Sequence, residues 1–313
     1  MSGETEAERE GVAERADLAE RGPAPLMAGF RLVDVAVGGL TLRAAIAGDG
    51  PPLLLLHGHP QTHVTWRKIA PALARRFTVV AADLRGYGDS SKPAGGPDHI
   101  AYSKREMAKD QVALMARLGF DRFALVGHDR GGRVAHRLAL DWPEAVEKLC
   151  VIDIAPTATM YAMTDKAFAT RYFWWFFLIQ PYPLPERMIG ADPDYFLRHH
   201  LAGQTRTPGA TEPEAFAEYL RCYLDPAARH AICEDYRAAA GIDLVHDAAD
   251  RETRIAAPLL ALWGAKGVVG DLYDVLETWR EKARDVRGHA LDCGHLVQEE
   301  RPEETLAALL AFL

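Results

Sequence analysis

The stretch Phe123-Ala-Leu-Val-Gly-His-Asp-Arg-Gly-Gly-Arg133 decides the fold. Phe123 to Val126 is apolar and reads as a buried strand, and Arg130 to Asp141 reads as a helix. Between them, Gly127-His-Asp129-Arg-Gly131 matches a sharp strand-to-helix turn that lifts one nucleophilic side chain above the end of a sheet. Serine is the usual central residue and attacks acyl carbon. Here the residue is Asp129. A carboxylate suits displacement at saturated carbon, because the product is an alkyl ester that water can cleave. The exchange points away from ester hydrolysis and towards opening carbon–halogen bonds or epoxide rings.

The flanking sequence supplies the rest of the sheet. Phe30–Val37 and Leu40–Ala47 alternate around Gly38-Gly39 and predict a hairpin. Leu53–His57, Thr78–Ala82, Lys148–Ile154, Pro258–Trp263 and Asp285–Leu291 read as further strands. Helical patterns cover Val64–Arg75, Ser103–Leu118 and the C-terminal end. Strands alternating with helices imply a mostly parallel central sheet with helices on both faces, the α/β-hydrolase fold. From 157 to 254 the rhythm breaks. This stretch is helical, aromatic and interrupted by prolines, as in Gln180-Pro-Tyr-Pro-Leu-Pro185. It reads as an inserted helical cap over the carboxyl ends of the strands, where open α/β sheets bind ligands. Residues 29–156 and 255–313 then form the core. Residues 1–28 read as a disordered acidic N-terminal tail, since Met1 to Arg21 is charged and poor in apolar residues.

Composition narrows the function. A net charge of −8 over 313 residues argues against nucleic acid or an anionic membrane as partner. The richest apolar run, Tyr172 to Gln180, is about half the roughly 18 residues of a membrane span. The N-terminus has no apolar leader. Cys150, Cys222, Cys233 and Cys293 show neither C-x-x-C pairing nor metal spacing, which fits a reducing, cytoplasmic setting. The sequence calls for no cofactor and no metal.

An ester on Asp129 needs a base to activate water, and histidine suits neutral pH. His295, in Asp292-Cys-Gly-His-Leu-Val-Gln-Glu-Glu-Arg-Pro302, follows the last strand, where this fold places its base. His289 is a neighbour inside or just before that strand. A third group must fix the tautomer of the base. Its common position follows Trp263, but Gly264-Ala-Lys-Gly-Val-Val-Gly270 holds no acid. Asp153 instead ends the strand after the elbow, in Val151-Ile-Asp-Ile154, where an acid is costly to bury without a partner. The segment His57-Gly-His-Pro60 follows a strand, so the backbone N–H groups of His59 and Arg130 are the candidate oxyanion donors. Arg130 and Arg133 are three apart on the elbow helix and suit a clamp on a substrate carboxylate.

With these residues in place, the chain resembles the haloacetate dehalogenase / fluoroacetate dehalogenase family of α/β-hydrolases. The similarity runs through Gly127-His-Asp-Arg-Gly-Gly-Arg-Val-Ala-His-Arg-Leu-Ala-Leu-Asp141, His57-Gly-His-Pro-Gln-Thr-His63, Gly86-Tyr-Gly88, Asp153-Ile-Ala-Pro-Thr157, Trp175-Phe-Phe-Leu-Ile-Gln-Pro-Tyr-Pro-Leu-Pro-Glu186, Cys233-Glu-Asp-Tyr-Arg237 and Leu262-Trp-Gly264. It covers nearly everything beyond the tail. The resemblance implies Asp129 as nucleophile, His295 as base, Asp153 as its partner, and Arg130 and Arg133 on the carboxylate of a small haloacid. It also implies Trp175 and Tyr236 as halide donors, and a homodimer. The histidine that precedes the halide-binding tryptophan in fluoride-releasing members is Trp174 here. Losing one such donor is worth ~2–4 kcal/mol at the transition state by analogy with oxyanion holes. C–F cleavage is therefore expected to be weaker than C–Cl or C–Br cleavage. Gln204 stands where related sequences can carry tryptophan, which implies a roomier pocket.

Two alternatives remain open. An epoxide hydrolase would use the same Asp-His-Asp machinery with a cap tyrosine as acid, and Tyr161, Tyr172, Tyr195, Tyr219, Tyr223 and Tyr236 are available. A binding protein that has lost the chemistry would keep the fold but not turn over.

Overall fold

A computed structural model describes residues 18–313. Its nine strands are β1 (Leu18–Pro23), β2 (Arg31–Val37), β3 (Leu40–Ala47), β4 (Pro52–Leu56), β5 (Thr78–Ala82), β6 (Phe123–His128), β7 (Val146–Ile152), β8 (Leu259–Gly264) and β9 (Val286–Leu291). They lie in one sheet in the order β1-β2-β3-β5-β4-β6-β7-β8-β9. Pairing is antiparallel from β1 to β5 across β2 and β3, and parallel from β5 onward. Strand β4 shows why the sheet is buried on both faces. Leu53 and Leu55 enter one hydrophobic layer, Leu54 and Leu56 the other, and none of the four is exposed.

The helices divide between these layers. Met107 and Leu114 of α2 (Lys104–Arg117) and Val134 and Leu138 of α3 (Asp129–Asp141) pack on the Leu54–Leu56 face. Leu73 of α1 (Ala70–Leu73) and Leu309 and Phe312 of α15 (Pro302–Phe312) pack on the other. Between β7 and β8 lie α4 (Thr157–Ala162), α5 (Lys166–Arg171), α6 (Phe173–Phe177), α7 (Leu184–Ala191), α8 (Pro193–Gln204), α9 (Pro213–Tyr223), α10 (Pro226–Ala240) and α11 (Ile242–Ala249). Three short helices follow in the core: α12 (Val268–Leu272), α13 (Val275–Arg280) and α14 (Val297–Glu300).

Two expectations need correcting. The tail read over 1–28 includes a strand, because β1 pairs with β2. Its ladder is made by backbone, and its charged side chains Glu20 and Arg21 pair with Arg31 and Asp34. An exposed, charged edge strand carries no apolar periodicity to read. Residues 1–17 of that tail lie outside the described residues. The helix expected over Val64–Arg75 is instead a 3₁₀ turn, His63–Trp66, followed by α1. Pro71 stands in the first turn of α1, where its missing N–H costs nothing, and so starts a new helix rather than continuing the old one.

All four cysteines are free and buried. Burial pushes the Cys293 thiol up to about 12 and raises the other three as well. No helix among the described residues is long and apolar enough to cross a membrane.

Candidate active site

Sheet register alone brings the two aspartates together. His128 of β6 pairs with Ile152 of β7, and each strand continues by one residue into an aspartate. Both turns are strained in the same way: Asp129 has φ +47° and Asp153 has φ +50°. Left-handed backbone is unfavourable for residues with a Cβ and survives where the surrounding structure dictates it. At the elbow, close packing does so. A Cβ at Gly131 would come within 2.4 Å of the carbonyl oxygens of Leu56 and His57. A Cβ at Gly58 would come within 2.4 Å of the Cβ of Asp129. The two glycines let α3 and the β4 loop close on the nucleophile.

The catalytic groups form a connected line. Asp153 accepts from the Gly264 N–H at 2.8 Å through one oxygen. Through the other it accepts from His295 Nδ1 at 2.5 Å. The last residue of β8, ahead of a turn without an acid, thus serves as a backbone donor to the acid that follows β7. With its proton on Nδ1, the neutral ring turns Nε2 towards Asp129, 3.8 Å from Oδ2 and with no other partner. That gap is too long for a hydrogen bond and leaves Nε2 available to water. The other oxygen of Asp129 accepts from the His59 N–H at 2.9 Å. The Arg130 N–H lies in the first turn of α3, where amides have no helical partner. His57 is structural: Nδ1 donates to the Gly58 carbonyl at 2.9 Å and Nε2 accepts from the Leu84 N–H at 3.1 Å. His289 lies exposed on β9.

Charge sets the protonation states. Burial would raise the Asp129 pKa, but His295, His128, Arg130 and Arg133 outweigh it and hold the carboxylate well below its usual range. Burial opposes the proton on His295, while the bond to Asp153 and the charges of Asp153 and Asp129 raise its pKa. Asp129 is ionised, and His295 sits between two carboxylates.

The two arginines differ. Arg130 is fully buried, and Nε and Nη2 grip Asp235 of α10 at 2.9 and 2.8 Å. Asp235 also accepts from Tyr87 OH at 2.6 Å and pairs with Lys104. The fork expected to hold substrate is therefore committed on one edge, and Nη1 remains without a partner. Arg133 is 3 % exposed and touches no acid among the described residues. Its Nη1 donates to the Ala155 carbonyl at 3.1 Å and to Thr157 Oγ1 at 2.9 Å, Nη2 contacts Met160 Sδ at 3.2 Å, and Nε has no partner.

The cap closes the site with rings. Trp175 lies under the Arg133 guanidinium at 4.7 Å, with its indole N–H buried and unpartnered. Tyr236 lies under Arg130 at 4.2 Å, and its hydroxyl is 3.4 Å from His59 Nδ1. Trp174 packs against Tyr172 and His200. With Gln204, Arg206 and His295 it lines a cavity of about 20 Å³, room for one water. Gln204 is buried, and its carbonyl accepts the His295 N–H at 3.0 Å.

Three acids went unseen in the sequence. Asp235 neutralises Arg130. Glu300 accepts from the N–H groups of Gly294, Leu296 and Arg206 and so shapes the His295 loop. Glu299 accepts from Arg67 at 2.9 Å and Gln61 at 2.8 Å within the core, and from Tyr219 of the cap at 2.6 Å, which fastens cap to core. The signal for the last two was an adjacent acid pair, Glu299-Glu300, in a helix with apolar Val297.

Comparison with known proteins follows from this geometry. Residues 51–302 match the alpha/beta hydrolase fold family. A fluoroacetate dehalogenase from Burkholderia sp. is 47% identical over 285 residues, covering 90% of this chain and 93% of that one. The chain belongs to the α/β-hydrolase family and is a haloacetate-dehalogenase-like member of it. A soluble epoxide hydrolase from Corynebacterium sp. (strain C12) is 34% identical, over 88% of this chain and 94% of its own. A crystal structure from Salmonella enterica, provisionally named an acyltransferase, superposes with TM-score 0.93 at 63% identity, over 94% of this chain and 98% of that one.

Proposed function

We propose that the protein hydrolyses the carbon–halogen bond of short 2-haloacids, converting haloacetate and water to glycolate and halide. The observation that carries this reading is Arg133. A buried guanidinium without an acidic partner is expensive, and an anionic substrate would complete it. A neutral epoxide would not. The carboxylate of the haloacid lies against Arg133 Nε and Arg130 Nη1, which leaves its α-carbon before Asp129. An Asp129 oxygen attacks that carbon, and halide departs with the bonding electrons towards Trp175 and Tyr236. The result is an alkyl ester on Asp129. His295 Nε2 then takes a proton from water, and the hydroxide attacks the ester carbonyl. The His59 and Arg130 N–H groups hold the oxyanion. As the tetrahedral adduct collapses, glycolate leaves with an oxygen that began on Asp129 and takes the proton held on His295 Nε2, which restores the base and the carboxylate. Acyl transfer fits less well, because a carboxylate attacking acyl carbon makes a mixed anhydride.

The test is halide release from fluoro-, chloro- and bromoacetate, with glycolate quantified. A single turnover in ¹⁸O-water should place the label in Asp129 and not in glycolate. Label in the first glycolate would exclude the ester. No halide from any of the three acids, with diol formed from an epoxide, would establish the second reading. That reading draws on the 34% identical epoxide hydrolase and on Tyr161, whose buried hydroxyl has no partner.

A further inference from the structure

His200 of α8 is 3 % exposed, and neither ring nitrogen has a hydrogen-bond partner. Buried polar groups are nearly always satisfied, and one that is not calls for a reason. Its surroundings supply none internally. The ring packs edge-on against His59 at 4.7 Å and Trp174 at 4.6 Å, and nearly parallel to Phe196 at 6.1 Å. Burial holds the imidazole neutral, so one nitrogen is an N–H donor and the other an acceptor.

Its position connects it to the chemistry. The His59 amide holds the nucleophile, and Trp174 lines the cavity that reaches His295. Ring contacts run in a closed circle: Trp175 to Tyr236 at 6.4 Å, Tyr236 to His59 at 5.6 Å, His59 to His200 and His200 to Trp174 as above, Trp174 to Tyr172 at 4.8 Å, and Tyr172 back to Trp175 at 5.9 Å. Burial lowers the His200 pKa most, with smaller effects from the charges of His59, Asp129 and His295. Trp175 and His200 thus stand on opposite sides of this circle, each with a buried N–H group that nothing among the described residues accepts.

We propose that His200 is a specificity-determining residue that donates its N–H to the departing halide. The proposal rests on the haloacid reading above. The arginines hold the carboxylate end, so the neutral donors of the cap are left for the other end of the molecule. A neutral donor gains most where charge develops, which is on the leaving atom in the transition state. Fluoride is the smallest and most strongly hydrated halide and depends most on such a donor. Bromide depends on it least.

The experiment compares kcat for fluoro-, chloro- and bromoacetate in the wild type, His200→Phe, His200→Met and His200→Gln, with folding checked by circular dichroism. His200→Phe keeps the ring and removes both nitrogens. Its expected loss is about 100-fold on fluoroacetate, grading to less than about 3-fold on bromoacetate, by the scale of a removed oxyanion donor. His200→Met, which also lacks a donor, should give the same gradient and stands in if the Phe variant does not fold. His200→Gln, with an N–H of its own, should recover most of the fluoride rate. Equal losses on all three acids, or no loss on any, would overturn the proposal while leaving the haloacid reading intact. A wild type that releases no halide would overturn both.

Discussion

Core and cap meet at one site but are built differently. On the core side the reacting groups have fixed partners: Asp153 is held by Gly264 and His295, and Asp129 by His59. On the cap side the rings facing them are held by packing and by the guanidinium groups of Arg130 and Arg133, with Trp175 Nε1 and both nitrogens of His200 unpartnered among the described residues. The core fixes geometry for bond making, and the cap presents donors for whatever arrives. Arg130 and Arg133 show the same division on a single helix. One is paired with a cap acid, and the other touches no acid among the described residues.

The largest effect should come from the core. Asp129→Ala should lower halide release by at least ~10⁴-fold with the fold intact, as removal of a nucleophile does elsewhere. Residual activity above one per cent, by ion-selective electrode, would break the contrast by moving the chemistry away from the elbow.

A sharper comparison sets the two arginines side by side. Arg133→Met should lower kcat/KM for chloroacetate ~10–100-fold, the worth of charged hydrogen bonds, and leave 2-chloroacetamide nearly unchanged. Its melting temperature should change little, since the residue removed is an uncompensated cation. Arg130→Met should instead destabilise by ~3–5 kcal/mol, because buried Asp235 loses its forked partner and keeps only Lys104 and the Tyr87 hydroxyl. Thermal unfolding of the pair decides it: equal shifts would mean that Arg133 has a structural partner too.

The smallest effect is in the titration of His295. Its folded value is raised above the ordinary 6.5. Its proton therefore contributes stability that is fully present below that value and is lost as pH rises through the folded one. In the proposed mechanism, esterification of Asp129 would remove one of the charges that raise it, so the pKa would fall as the ester forms. Asp129→Asn should mimic this and lower the His295 midpoint followed by NMR. An unchanged midpoint would assign the shift to Asp153 alone.

How legible these features were depends on how local they are. The elbow and the hairpin could be read because an apolar run and turn glycines are neighbours in the chain. Asp153 could be read from a cost, that of an acid inside Val151–Ile154, together with the acid missing after Trp263. The Arg130–Asp235 pair could not, because 105 residues separate its members and only docking of α10 brings them together. Strand β1 was hidden because its pairing belongs to the backbone. His200 was hidden because nothing in Arg198-His-His-Leu201 says which histidine turns inward.

The burial of the four cysteines matters for a protein proposed to turn over haloacids. Haloacids alkylate thiolates, and a thiol reacts only as far as it is ionised and reachable. Cys150, Cys222, Cys233 and Cys293 are each enclosed, with burial holding the proton on sulfur. On the proposed haloacid reading, the adduct on Asp129 is an ester that water can undo, whereas thioethers on these four buried cysteines would be permanent.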